Sequence, residues 1–213
     1  PPQGKWDGYF TFDTEDFDGR NVYLPLWWLT TTDLFGSNVS PWLGKAVTLK
    51  ELTSSRRAQY ESRHKFCVAF IGKAYPYRLH AIEALSRFGQ VDVFGSVNRR
   101  GKRFNPESKI DIAKDYRFMF AFENDLYPGY VTEKAPEAWA TGAIPLYWGL
   151  ESDKYFNPKS MINALDFPSL ASFAEHVAEV GSSPDKWTEI ASQPLLQREP
   201  SLEQAINRIR EIL

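Results

Sequence analysis

Phe118-Met119-Phe120-Ala121-Phe122-Glu123-Asn124-Asp125-Leu126-Tyr127-Pro128-Gly129-Tyr130-Val131-Thr132-Glu133-Lys134 changes character along its length. An apolar run ends at Phe122, polar groups follow at once, Pro128-Gly129 turns the chain, and a helix is expected from about Glu133. A buried strand, a polar turn and a helix start in that order make a ligand rim. Backbone N–H groups at the first turn of a helix favour phosphate, and Lys134 adds a full positive charge there. A lysine in that turn opposes the helix dipole, which an anion bound at the spot would explain. An exposed lysine costing its helix a few tenths of a kcal/mol is the alternative. Pro136 sets the register, because proline is tolerated only in the first turn, where its missing N–H would be unpaired anyway. Ala135, Ala138, Trp139 and Gly142 then form the buried stripe, leaving Glu133, Lys134 and Glu137 to the rim or solvent.

The same alternation extends on both sides of this stretch. Phe66–Ile71, Val91–Phe94, Phe118–Phe122 and Ile144–Trp148 are apolar runs, and Tyr77–Phe88, Ser108–Lys114 and Glu133–Ala140 are helix-length segments between them. Such βαβ units predict a parallel sheet with helices on its faces and ligands along the rim of strand C-termini. In the tail, Ser169–Val180 and Leu202–Leu213 read as amphipathic helices, the second with Ile206, Ile209, Ile212 and Leu213 at helical spacing. Upstream, Tyr9–Phe12 and Val22–Leu29 read as strands, the second bent or edge-placed by Pro25, with a polar loop Asp13–Asn21 between them. Residues 30–62 mix turn formers and charges, so a boundary is expected at Glu61–Lys65: residues 1–62 as one unit with a connection, residues 63–213 as a second.

Composition narrows the function classes. With 43% hydrophobic and 15% aromatic residues in 213, the chain can bury one full core and part of another. Lys plus Arg number 25 against 27 Asp plus Glu, a net charge of −2, so no global field draws it to nucleic acid or anionic lipid, and an anion site must be local. No apolar run approaches the length of a membrane span. The single cysteine, Cys67, lies in an apolar run and reads as a buried structural thiol in a reducing compartment. Pro1-Pro2-Gln3-Gly4 resembles neither a signal peptide nor a natural N-terminus, so the chain is expected to be a fragment.

Three ordered blocks carry a resemblance: Phe122-Glu123-Asn124, Gly129-Tyr130-Val131-Thr132-Glu133-Lys134, and Gly142-Ala143-Ile144-Pro145-Leu146-Tyr147-Trp148-Gly149. Together they resemble the signature of the α1,3-fucosyltransferases of glycosyltransferase family 10. Phe156-Asn157-Pro158-Lys159-Ser160 is similar to the loop that follows in bacterial members, Tyr77-Arg78 to the arginine that grips the donor diphosphate, and Asp13–Trp28 to the end of the acceptor lobe. The resemblance implies a two-lobed α/β fold of the GT-B type, with a Rossmann-like parallel sheet in the C-terminal lobe. It implies an inverting enzyme moving fucose from GDP-fucose to a hydroxyl of a GlcNAc-containing glycan, without a required cofactor. Carried over by position, Arg78 and Lys134 would neutralise the diphosphate, and Asn124, Tyr130 and Glu133 would contact phosphate, ribose or fucose. Fixed cations can stabilise the charge developing on the departing β-phosphate, each such contact being worth about 3 kcal/mol of barrier.

The chain departs from the family in three places. The turn before the arginine is Ile71-Gly72-Lys73-Ala74-Tyr75-Pro76 rather than an asparagine-containing one, and Pro136 replaces an ordinary helix residue. The general base resembles, in the family, a glutamate just before this chain begins, so no catalytic residue is assigned within it. The implied location is the bacterial cytoplasm, or the Golgi lumen for a eukaryotic source. A transferase using another nucleotide sugar, or a non-catalytic nucleotide or glycan binder, are the competing classes.

Other signals are weaker. Asp16-Phe17-Asp18 has the Asp-x-Asp spacing with which many glycosyltransferases hold Mn²⁺ or Mg²⁺, but reads better as an acidic loop. Arg99, Arg100, Lys102 and Arg103, with only Phe104 interleaved, read as a solvated loop rather than a nucleic-acid surface, with contact to the nucleotide as an alternative. His64, His80 and His176 lack metal-ligand spacing. Trp27-Trp28 reads as core, with sugar stacking as the alternative.

Overall fold

A computed structural model describes residues 6–31, 43, 47–95 and 109–212. The chain opens with two short parallel strands, β1 (Tyr9–Thr11) and β2 (Asn21–Tyr23), paired with Tyr9 opposite Asn21. Strand character was expected from Val22 to Leu29. It stops at Tyr23 instead, and Leu26–Thr30 coils into a 3₁₀ turn whose first bond is Trp28 N–H to the Pro25 carbonyl. Proline offers no N–H to a ladder, and its fixed φ suits a helical turn. Trp27 and Trp28 are buried there, as core side chains. A short helix, α1 (Leu49–Thr53), follows, closed by a capping box between Thr48 and Glu51.

From Lys65 onward the expected alternation is present: β3 (Lys65–Phe70), α2 (Pro76–Ser86), β4 (Val91–Phe94), α3 (Lys109–Ala113), β5 (Tyr116–Phe122), α4 (Lys134–Ala140) and β6 (Ile144–Trp148). Then come α5 (Ser152–Tyr155), the two-residue strand β7 (Ile162–Asn163), α6 (Leu170–Ser182), α7 (Pro184–Ala191) and α8 (Glu203–Ile212). The sheet is wholly parallel, in the order β4-β3-β5-β6-β7. The chain thus enters at β3, steps to β4 and then returns to the far side of β3. That reversal opens a crevice outside the C-terminal ends of β3 and β5, where ligands of such sheets sit.

The period-2 alternation of β5 supplies both faces of the core. Phe118, Phe120 and Phe122 join Ala81 and Leu85 of α2, Phe173 and Val177 of α6 and Trp187 of α7. Met119 and Ala121 face the other way, toward Trp139, Tyr147, Leu52 and the two N-terminal tryptophans. Full burial of each Val, Leu, Phe or Met side chain among them contributes about 1.5–3 kcal/mol. Cys67 is fully buried as expected, and burial pushes its thiol pKa up.

Helix α7 was not visible in the periodicity. Its anchor is Trp187, whose indole N–H donates to the Arg117 carbonyl at 3.0 Å. Helix α8 forms where expected, but none of its residues is buried and Ile206 is 43% exposed. The basic residues at 99–103 lie outside the described residues. Among the described residues, no helix is long and apolar enough to cross a membrane.

Candidate functional site

The crevice between β3 and β5 is built by three connections. The first runs from β3 into α2, where Pro76 occupies the first turn and Arg78 projects inward, 5% exposed. Arg78 Nη2 donates to the Phe122 carbonyl at 2.5 Å and to Asn124 Oδ1 at 2.7 Å, locking it onto the end of β5. Asn124 Nδ2 in turn donates to the Tyr130 hydroxyl at 3.2 Å. Arg78 Nε is buried with no partner among the described residues. Burying an unmet donor costs about 1–3 kcal/mol.

Lys134 is organised by a residue that the sequence reading passed over. Glu123 follows β5 directly and is fully buried. Its carboxylate accepts from Thr132 N at 2.8 Å, Thr132 Oγ1 at 2.7 Å, Lys134 Nζ at 2.9 Å and the Tyr147 hydroxyl at 3.2 Å. A buried carboxylate survives when paired and fully hydrogen-bonded in this way. Lys134 Nζ also donates to Thr132 Oγ1 at 2.8 Å, so two of its three N–H groups are committed and one remains for a ligand. Glu133 Oε1 lies 3.9 Å away, beyond hydrogen-bond range. The signal for Glu123 was available: an acid directly after an apolar strand, in the block that supplied Asn124.

Arg78 and Lys134 both line a small cavity of about 30 Å³ over the strand ends, together with Lys109 and Glu137. Helix α4 starts at Lys134, as Pro136 required. Glu137, however, does not face solvent: it is 1% exposed and ion-paired with Lys109 from α3. A 3.6-residue helix packed beside the sheet turns position 137 toward that cavity, and an α3 lysine remote in sequence makes its burial tolerable.

Two arginines, Arg63 buried and Arg56 half-buried, hold the far end of α4. Arg56 donates to the Trp139 carbonyl and, at 3.0 Å, to that of Ala143, with its guanidinium 4.5 Å from the Trp139 ring centroid. Arg63 donates to the carbonyls of Thr141 at 2.8 Å and Tyr116 at 2.7 Å. Cations at a helix C-terminus complement its dipole. Desolvation opposes the two charges, pushing Arg56 down to about 9 and Arg63 down to about 10. Gly142, at φ +87°, leaves the room through which Arg63 passes.

A second, larger cleft of about 610 Å³ adjoins this site, lined by Phe12, Asp13 and Phe17 from the N-terminal segment and by Tyr75, Asn124, Tyr127 and Tyr130, among others. The N-terminal segment reaches it because Gly129 (φ +80°) has no side chain: a Cβ there would stand 2.5 Å from the Phe12 carbonyl oxygen. Tyr77, in the first turn of α2, shares its single hydroxyl proton between the Glu123 and Asn124 carbonyls at 3.0 and 2.6 Å and stacks on Trp148 with centroids 4.3 Å apart.

Of the sequence-predicted residues, Arg78, Asn124 and Tyr130 form one bonded chain, and Lys134 shares the small cavity with Arg78. Glu133 lines neither cavity and touches the set only through its 3.9 Å approach to Lys134. Asp16 is ion-paired with Arg208 of α8. Among the described residues there is no group of three His, Cys, Asp or Glu placed to hold a metal ion.

The fold is that of an α/β protein with cations fixed at the switch point of a parallel sheet, where ligands of such sheets collect, beside a cleft rich in aromatic residues. Residues 60–190 match the model described as glycosyltransferase family 10 (fucosyltransferase) C-term, and the chain belongs to that family. It is similar to the alpha-(1,3)-fucosyltransferase FucT of Helicobacter pylori, 37% identical over 186 residues, a match covering 78% of this chain and 39% of that protein. It is also similar to the human 4-galactosyl-N-acetylglucosaminide 3-alpha-L-fucosyltransferase FUT6, 27% identical over 181 residues, covering 82% of this chain and 45% of that one. The chain spans less than half the length of either relative. A crystal structure of an alpha1,3-fucosyltransferase with GDP-fucose covers all of this chain with a TM-score of 0.73 at 23% identity, while the match takes in 71% of that chain. That likeness is one of fold, the GT-B type expected from the sequence.

Proposed function

We propose that this chain is the donor-binding part of an inverting fucosyltransferase that moves fucose from GDP-fucose to a hydroxyl of a GlcNAc-containing glycan. The observation that carries the proposal is the pairing of Arg78, with its buried unmet Nε, and Lys134, pinned by Glu123, around one cavity at the β3–β5 switch point. Family membership and the GDP-fucose named with the matching crystal structure support the choice of donor.

In this reading Arg78 Nε and the remaining Lys134 N–H meet diphosphate oxygens. Both groups are held before the donor arrives, so no reorganisation is needed as charge develops on the leaving phosphate. Asn124, Tyr130 and Glu133 are assigned to phosphate, ribose or fucose contacts. Residues 63–213 form the donor lobe, and residues 1–62 contribute the end of the acceptor lobe. No residue of this chain is assigned as the base for the acceptor hydroxyl, and the diphosphate charge is met by side chains without a required metal.

Calorimetric titration with GDP-fucose, with GDP-mannose and UDP-galactose as controls, tests the proposal. Saturable binding selective for GDP-fucose and weakened about 10- to 100-fold in Lys134→Ala is expected, the range for one charge-assisted hydrogen bond. Equal or tighter binding of another nucleotide sugar would replace fucose as the transferred group. An unchanged affinity in Lys134→Ala would remove the cation assignment.

A further inference from the structure

The turn that carries Tyr130 is held from outside the donor site. Gly129 enters it at φ +80°, a residue free to take either sign of φ, so its contacts must fix it. Its carbonyl accepts from the Tyr23 hydroxyl of β2 at 3.3 Å, and a Cβ on Gly129 would stand 3.0 Å from Tyr23 Cε2, so the ring lies against the turn. The Tyr23 hydroxyl also bonds the hydroxyl of Tyr155, the last residue of α5, with the two rings tilted by 42° and 6.3 Å apart. Trp27 N–H donates to the Val131 carbonyl at 3.2 Å, and Phe12 stands edge-on to the Tyr130 ring with centroids 5.1 Å apart. Phe12, Tyr23 and Trp27 from the N-terminal segment, with Tyr155 from α5, thus grip Gly129-Tyr130-Val131.

What the turn presents is the Tyr130 hydroxyl, and that hydroxyl orients Asn124. With Asn124 Nδ2 on Tyr130, Oδ1 is left for Arg78, which can only donate. At 3.2 Å the Asn124–Tyr130 bond is already near the long end of the range, so a small displacement of the turn breaks it. Tyr23 and Tyr155 line neither of the cavities that hold the donor-site residues. Both line a separate cavity of about 620 Å³, shared with Gln204 and Arg208 of α8. Burial pushes both phenols above the usual tyrosine range, so they stay protonated and able to donate.

We propose that Tyr23, backed by Tyr155, is a positioning residue for the donor site: it fixes the Gly129 turn and so holds the Tyr130 hydroxyl where it orients Asn124 toward Arg78. The proposal rests on the donor reading above for what Arg78 meets, whereas the positioning itself belongs to the unliganded protein. Tyr23 touches no ligand in this reading and acts only through the turn. Its hydroxyl therefore contributes to donor affinity by keeping the site ordered before the donor arrives.

The test follows the Asn124 side-chain amide by proton–nitrogen correlation NMR of the ligand-free protein, alongside calorimetric titration with GDP. The variants are Tyr23→Phe, Tyr155→Phe, Tyr130→Phe, and Tyr23→Phe combined with Tyr130→Phe. Phenylalanine keeps each ring and its packing, so the substitutions remove hydroxyls alone. In Tyr23→Phe the Asn124 amide signals should move and GDP should bind about three- to tenfold more weakly, the range for one hydrogen bond between neutral groups. Tyr155→Phe should move both readouts the same way by less. In the Tyr130→Phe background the Tyr23 substitution should leave both readouts where Tyr130→Phe alone put them, while still lowering the thermal midpoint. An Asn124 amide that responds to neither Tyr23→Phe nor Tyr155→Phe would overturn the proposal, as a merely structural hydroxyl lowers the midpoint without moving that signal. So would a Tyr23 effect on GDP affinity that adds in full to that of Tyr130→Phe. Should Tyr23→Phe fail to fold, Tyr155→Phe carries the same cycle. Failure of the donor reading is seen separately, as absence of GDP binding in the wild-type protein while the amide shifts persist.

Discussion

Replacing Glu123 by glutamine isolates what the buried carboxylate does for Lys134. The side chain keeps its size, and its amide oxygen can still accept from Thr132 N, but the charge is gone and the NH₂ end has nothing to offer an ammonium. Glu123 is fully buried and Lys134 retains 21% side-chain exposure. Removing one partner of a buried pair costs about 3–5 kcal/mol, and the partial exposure of the lysine puts this case near 3. For a chain of this length that lowers the midpoint of thermal unfolding by roughly 6–12 °C. Glu133→Gln is the control: its carboxylate lies 3.9 Å from the same ammonium but is 37% exposed, so its loss should cost under about 1 kcal/mol. Scanning calorimetry at neutral pH, in low and in high salt, reads the difference, and the Glu123 effect should persist in salt because a buried pair is screened little. The same variant should bind GDP-fucose more weakly, since Lys134 must then be ordered by the ligand rather than beforehand. A Glu123→Gln shift no larger than that of Glu133→Gln would refute the view that Glu123 is the post on which Lys134 is hung.

Gly142→Ala should destabilise the protein by about 2–4 kcal/mol, because a Cβ there both strains a backbone at φ +87° and meets the Arg63 guanidinium; chemical denaturation measures it, and a cost under about 1 kcal/mol would mean that Arg63 moves aside freely. Cys67 is buried with its thiol pKa pushed up, so at pH 8 the native protein should not react with a disulfide reagent and should titrate one thiol only once urea unfolds it; rapid labelling of the native state would contradict the core placement.

Much of the fold was legible because the physics behind it is local. Val91–Phe94 and Ile144–Trp148 begin and end as their apolar runs do, and Pro136 located the start of α4 to within a residue, since both signals depend only on neighbouring side chains and backbone donors. Where the pattern misled, a distant partner or a single proline outweighed it. Pro25 ended a strand that its neighbours favoured. Trp187 built α7 by reaching the Arg117 carbonyl seventy residues upstream. Glu137, read as a rim or solvent residue, does line the rim cavity, but it is buried there rather than solvated because Lys109, on a different helix, pairs with it.

The candidate site divides in the same way. The sequence by itself determined the family, the class of fold and the block in which Asn124, Tyr130, Glu133 and Lys134 occur, because that chemistry is written in consecutive residues around one strand and one turn. The tertiary structure decided which of them meet. Strand order placed the β3–β5 crevice, brought Arg78 onto Asn124 from forty-six residues away, and buried Glu123 where only Lys134, Thr132 and Tyr147 could satisfy it. It also laid Phe12 and Asp13 against Tyr127 across more than a hundred residues of chain. Burial and charge pairing are properties of neighbours in space, and one sequence names those neighbours only after the chain has folded.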